Sequence, residues 1–241
     1  LHPRVRRQRQ MCIRDSIMSR VCTGDGIDIV GCEDVTMRNS FIRASDDCVC
    51  IKAASYPDPA ANRDVKNILV EHCVLWNAEP GNAVEIGYEV RCDEISDITF
   101  RDLDIVHCEY EGNQSGGVLT IHNADRAYIH DIVYEDIRVE DAQEKFVDIK
   151  VLDSKYSLDR KRGSVENIYF RNVEILNGNF PVSIIRGFEM HTEMSRPRNI
   201  YFDNVVVLGK KVESPSDLHM VVELSDDILF NGTAHAKRNP F

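Results

Sequence analysis

The sequence has little of what marks the common fold and function classes. No stretch of the 241 residues approaches the roughly 18 consecutive apolar residues that a membrane-spanning helix needs. No two cysteines are spaced as a CxxC pair, and the i,i+2 spacing of Cys48 and Cys50 does not suit zinc. Positive charge is scarce: 29 Lys and Arg stand against 40 Asp and Glu, giving a net charge of −11. Such a surface repels polyanions, which argues against nucleic acid as a partner. Only two Asn-Gly pairs occur, Asn177-Gly178 and Asn231-Gly232, so the tight hairpin turns of a sandwich or up-and-down barrel are nearly missing. No segment reads as a convincing amphipathic helix.

The eight cysteines, Cys12, Cys22, Cys32, Cys48, Cys50, Cys73, Cys92 and Cys108, all lie in the first half. They read mainly as small buried apolar residues, with one disulfide left open. Residues 1–16, LHPRVRRQRQMCIRDS, are basic, lack any apolar period and contrast with the acidic remainder. There is no apolar core for a targeting peptide. The string MCIRDS reads as translated sequencing-adapter sequence, so the native protein is expected to enter near Ile17, already inside its fold. The domain itself is expected over 17–228, with a tail over 229–241.

What is present in abundance is repetition. EDVTMRNSFI (33–42), VKNILVEHCVLW (65–76), ISDITFRDLDIV (95–106), IHDIVYEDIRVE (129–140), VENIYFRNVEIL (165–176) and PRNIYFDNVVVL (197–208) share one pattern. In each, an Asn or Asp leads into apolar–polar alternation. Between them lies a second set: GIDIV, CVCIK, AVEIG, VLTIH, FVDIKV, VSIIR and MVVEL. Alternation puts one strand face inward and the other outward. Short strands repeating near every 33 residues predict an all-β, single-stranded parallel β-helix, truncated at its N-terminus. A β-sandwich is the alternative.

In such a coil, equivalent residues of successive turns stand about 4.8 Å apart. Aligning Ile27, Val49, Val84 and Leu119 as inward residues stacks Asp25 over Asp47, Asn82 and Gly117. The preceding row is Gly24, Asp46, Gly81 and Gly116. Three clustered carboxylates repel one another, and a structural face would intersperse Lys or Arg. Glycoside hydrolysis wants such a cluster: one carboxylic acid protonates the leaving oxygen while another carboxylate activates water. The plainer reading is that Asp46-Asp47 forms a turn entering a strand.

The segments TGDGIDI (23–29), SDDCVCIK (45–52) and GNAVEIG (81–87) resemble the polygalacturonase family, whose pattern runs NTDG, DDC-x-x-IK and GHG-x-SIG. The layout is also similar to that of the dextranase and isopullulanase family. The resemblance spans about residues 20–125 with motifs. It implies that the parallel β-helix is right-handed and carries an inverting, cofactor-free hydrolase with Asp46 as general acid and Asp25 with Asp47 holding the water, the acid and base being roughly 6.5–9.5 Å apart. It also implies a polysaccharide or oligosaccharide substrate, a secreted or periplasmic location and a monomeric chain. Thr23 stands where that family has Asn, Asn82 where it has His, and Thr120 and His122 where Arg and Lys grip a uronate carboxylate. A neutral or weakly charged glycan is therefore expected.

Four further residues are expected to contact substrate: Lys52, Asn82, Glu85 and His122. Trp76 and Tyr88 are weaker candidates for stacking on sugar, and His107, Lys150 and Arg186 weaker still. Asn113 and Asn231 begin glycosylation-type triplets. Two other functions fit the same fold: a catalytically silent glycan-binding β-helix, and a polysaccharide lyase.

Overall fold

The computed structural model describes residues 16–53, 62–78, 80–109, 116–143, 145–179 and 182–234. Cys12, Asn113 and nearly all of the basic segment lie outside them. The described chain is a parallel β-solenoid of about five turns. It carries no α-helix, only a 3₁₀ turn at Pro215–Leu218. The sandwich alternative falls because nearly every ladder is parallel.

The second set of strands forms one seven-stranded parallel sheet: Ile27–Val30, Val49–Lys52, Val84–Ile86, Leu119–Asn123, Val147–Val151, Ser183–Arg186 and Met220–Glu223. Ile27 pairs with Val49, Val49 with Val84 and Val84 with Leu119, the register expected from the sequence. Two residues on, Ile29, Ile51, Ile86, Ile121, Ile149 and Ile185 form an isoleucine column along the core. All six are buried. β-branched side chains suit this site, because they pack well on a pleated, buried sheet face against the same residue one turn away.

The 33-residue repeats make the larger sheet, and here the recurring Asn and Asp do more than lead into a strand. Asp34, Asn67, Asp97, Asp131, Asn167 and Asn199 all adopt left-handed φ between 54° and 57°. Five residues later, Asn39, His72, Asp102, Asp136, Asn172 and Asn204 do the same. These are the corners that bend one long strand twice without breaking its pairing. Most L-residues pay about 1–2 kcal/mol in that region, and Asn and Asp pay least. The corners also bond along the coil: Asn172 Nδ2 donates to Asp136 at 3.0 Å, and Asn204 Nδ2 to Asn172 at 2.9 Å.

A second core column is aromatic. Phe100, Tyr134, Phe170, Phe202 and Phe230 stack in register with ring centroids 4.7–5.1 Å apart and planes within 9°. All five are at most 1% exposed. The Asn231-Gly232 pair forms a tight hairpin turn, joining Asp226–Phe230 to the antiparallel Thr233–Ala234. The seven cysteines that are described, Cys22, Cys32, Cys48, Cys50, Cys73, Cys92 and Cys108, are free thiols, and five of them are buried.

Phe170 sits between Tyr134 and Phe202, so truncating it opens a void in the middle of the column. Phe170→Ala is expected to cost about 3–5 kcal/mol of unfolding free energy, measured by urea denaturation. A cost below about 1 kcal/mol would mean the column does not carry the core.

Candidate active site

The outward face of the seven-stranded sheet, where its strands begin, forms the floor of a cavity of about 600 Å³. Asp25 enters it from the turn before Ile27. Asp46 and Asp47 enter from the turn between Phe41–Ala44 and Val49–Lys52. Backbone bonds lock these turns one above the other: the Gly26 N–H donates to the Asp47 carbonyl at 2.7 Å, and the Cys48 N–H to the Asn82 carbonyl at 3.0 Å. Asn77, wholly buried, donates its Nδ2 to the Asp46 carbonyl at 2.8 Å.

Gly81 has φ +109°, and a Cβ there would lie 2.4 Å from the Asp46 carbonyl carbon. Only glycine allows that turn to close against the acidic pair.

The three carboxyls converge. One oxygen from each of Asp25, Asp46 and Asp47 lies within 4.8 Å of the others. This is closer than the expected 6.5–9.5 Å, because two of them are chain neighbours and the third hangs one strand spacing away.

Their surroundings differ. Asp25 Oδ2 accepts from Lys52 Nζ at 2.9 Å, both side chains about one-fifth exposed. The Asp46 carboxyl is pushed up to about 6, chiefly by burial and then by the Asp25 charge. Asp47 is 6% exposed and its Oδ1 accepts from both the N–H and the Nδ2 of Asn82, at 2.9 and 2.7 Å. Burial and then Glu85 push it well above the usual carboxylate range. The carboxyl spacing would also suit a cation, but Lys52 already neutralises Asp25 and Asn82 occupies Asp47, which leaves a poor donor set.

The residues expected to touch substrate divide. Lys52, Asn82 and Glu85 line the cavity. Lys52 is committed to Asp25 and lies 3.5 Å from Asp28. Asn82 and Glu85 form the buried floor, 3% and 2% exposed, so Glu85 does not stand outward in solvent. His122 is corrected: it is fully buried, outside the cavity lining, with Tyr88 stacked on it at 5.0 Å. Thr120 is fully buried too.

Trp76 and His107 contact each other away from the cavity lining, and His107 is held between Asp141 and Glu109. Lys150 and Arg186 are tied to Asp148 and Glu223, so they form no free basic edge. The sequence did not single out Tyr156, Lys155 or Glu89, which complete the wall. They sit in irregular segments outside the strands, so no repeat signal marks them. Tyr156 lies 5.2 Å from Tyr88, and Lys155 Nζ is 4.8 Å from the Tyr156 ring centroid.

The raised Asp46 has a consequence for stability. Its folded form holds a proton that the unfolded chain releases above the ordinary value of 3.8, so stability falls as pH rises from there through about 6. Asp46→Asn removes this cost. The variant is expected to melt above the wild type at pH 7 and to match it at pH 3.5, read by differential scanning calorimetry. A lower melting temperature at pH 7 would contradict the assigned environment.

Comparison with known proteins fits this geometry. No curated protein matches the sequence. The family model for glycosyl hydrolases family 28 matches residues 9–151, more than half of the chain and a range that includes every site residue named above from Asp25 to Asp148. That match bears out the resemblance to the polygalacturonase family. The chain belongs to glycosyl hydrolases family 28, whose chemistry is the hydrolysis of glycosidic bonds and whose substrate is a carbohydrate.

Proposed function

We propose that this protein hydrolyses O-glycosidic bonds of a neutral or weakly charged polysaccharide by an inverting mechanism, with Asp46 as general acid and Asp25 with Asp47 activating water. The observation that carries the reading is the convergence of three carboxyls, within 4.8 Å, on the floor of an open cavity.

The roles are those that the resemblance implies, and burial raises Asp47 as well as Asp46. A general acid must hold its proton near working pH, and Asp46, raised to about 6, is suited to that. A water accepting tetrahedral geometry holds two oxygens, each about 2.7 Å away, roughly 4.5 Å from each other. Asp25 and Asp47 stand at that kind of spacing, on adjacent turns. Lys52 Nζ holds Asp25 Oδ2 at 2.9 Å and orients that carboxyl toward the shared water.

The substrate follows from what grips it. Where Arg and Lys would clamp a uronate, Thr120 and His122 are wholly buried. Glu85 and Glu89 line the cavity, and Lys52 is engaged by carboxylates. Lys155 is the second cation on the wall, beside Tyr156, and an ammonium alone offers no bidentate clamp for a uronate. Tyr88 and Tyr156 offer ring faces against which a sugar packs its C–H surface.

Release of reducing sugar from a panel of neutral and acidic glycans tests the reading, with the product anomer followed by proton NMR. Wild type is expected to release inverted product from a neutral glycan, with kcat falling as pH rises past about 6, where Asp46 loses its proton. Asp46→Asn is expected to lose at least ~10³-fold in kcat. A retained anomer would overturn the inverting assignment and fit the short carboxyl spacing instead. Binding of glycan with no release by the wild type would leave a silent lectin-like coil.

A further inference from the structure

Beneath the cavity floor, a line of polar side chains runs away from the acidic cluster across three turns of the coil. Asn82 Nδ2 donates to Asp47 Oδ1 at 2.7 Å and also to Glu85 Oε2. Asn82 Oδ1 accepts from the Gly117 N–H at 2.8 Å. Every polar position of that amide is therefore used, and flipping it would set its oxygen against two carboxyls. Glu85 Oε1 lies 2.9 Å from His122 Nδ1. His122 Nε2 lies 3.3 Å from Asp148 Oδ2, and Asp148 accepts from Lys150 Nζ at 2.8 Å, with Lys145 Nζ at 3.8 Å. Asn82, Glu85, His122 and Asp148 are each at most 3% exposed.

Charges buried this deeply persist only when paired and hydrogen-bonded. Asp47 and Glu85 share one amide, so each negative charge opposes the other. A core of apolar residues would be cheaper here, and the residues of this line occupy outward positions that need not be filled by ionisable groups. We propose that Glu85 and His122 are positioning residues, a compensated pair that fixes the Asn82 amide and offsets the repulsion between Glu85 and Asp47 beside the reacting centre. This rests on the hydrolase reading above and extends it to side chains beneath the acidic cluster.

The charge balance is explicit. Asp47 faces Asp25 and Asp46 at the cavity floor and Glu85 below, with Lys52 on the far side of Asp25. Glu85 faces Cys50 one turn above, whose thiol burial holds well above its ordinary range and so neutral. It faces His122 one turn below, Glu89 on its own turn and the Tyr134 hydroxyl from the core side. His122 is flanked by Glu85 and Asp148, with Tyr88 stacked on its ring and Lys150 paired with it one turn on, the Lys150 ammonium drawn to Asp148 with Lys145 beyond. Burial opposes a charge on His122, but the two carboxylates outweigh it and lift the imidazole to about 9. The two carboxylates on either side of the ring thus favour an imidazolium at neutral pH.

Two substitutions separate this role from simple packing. His122→Gln keeps hydrogen bonding and loses the charge, leaving Glu85 uncompensated. It is expected to move the acidic limb of kcat/KM up by about one pH unit. Glu85→Gln removes the opposing negative charge, and is expected to move the same limb down by a similar amount. Limbs that stay put, or move in the same direction, would overturn the proposal even if both variants lose activity. The wild type also gives a readout without catalysis: the His122 ring, assigned by its loss in His122→Gln, is expected to titrate well above pH 7 by nitrogen-15 NMR. A neutral His122 at pH 7 would overturn the pair. Failure of the wild type to release sugar from any glycan would sink the hydrolase reading alone, leaving the imidazole titration to decide the pair.

Discussion

Each turn of this chain stands one strand spacing, about 4.8 Å, from the next, and the site exists because of that interval. The hydrogen bonds of the seven-stranded sheet fix which residue lies over which. Asp25 and Asp47 are neighbours only because Ile27 pairs with Val49. Asn82 reaches Asp47 only because Val49 pairs with Val84, and His122 reaches Glu85 because Ile86 pairs with Ile121. A slip of one residue in any of these ladders would turn inward positions outward and scatter the cluster. The isoleucine and aromatic columns make that slip costly, since every member would leave its matched partner.

The acidic cluster is the price of function set into this frame. Three carboxyls within 4.8 Å oppose folding, and each is offset differently. Lys52 pairs with Asp25, Asn82 binds Asp47 twice, and burial raises both Asp46 and Asp47. The result is a set of chemically unlike carboxyls from identical side chains, the separation that acid–base work on a glycosidic bond requires. The same logic continues downward, where Glu85, His122, Asp148 and Lys150 alternate in sign.

Much of this was legible in the sequence, for a physical reason. A solenoid repeats its environment, so the period of the strands and the alignment of Ile27, Val49, Val84 and Leu119 could be read directly, and with them the stacking of Asp25 on Asp47. The Asn and Asp leading each repeat were visible, but their work as left-handed corners was not, because the residue five positions on varies from Asn39 to His72. Asp148 could have been found by carrying the outward row of Glu85 and Thr120 one turn further. The burial of Glu85 and His122 could not: it depends on Tyr88 and on packing by irregular segments, which obey no period. Tyr156 and Lys155 were missed for the same reason.

The central claim is that coiling makes one catalytic unit of Asp25, Asp46 and Asp47. Groups that act as a unit are grossly non-additive when removed. The most direct measurement is kcat on a neutral glycan for Asp25→Asn, Asp46→Asn and the double variant. The account predicts that the double variant loses little more than the worse of the two single variants. Losses that multiply as independent factors would contradict it.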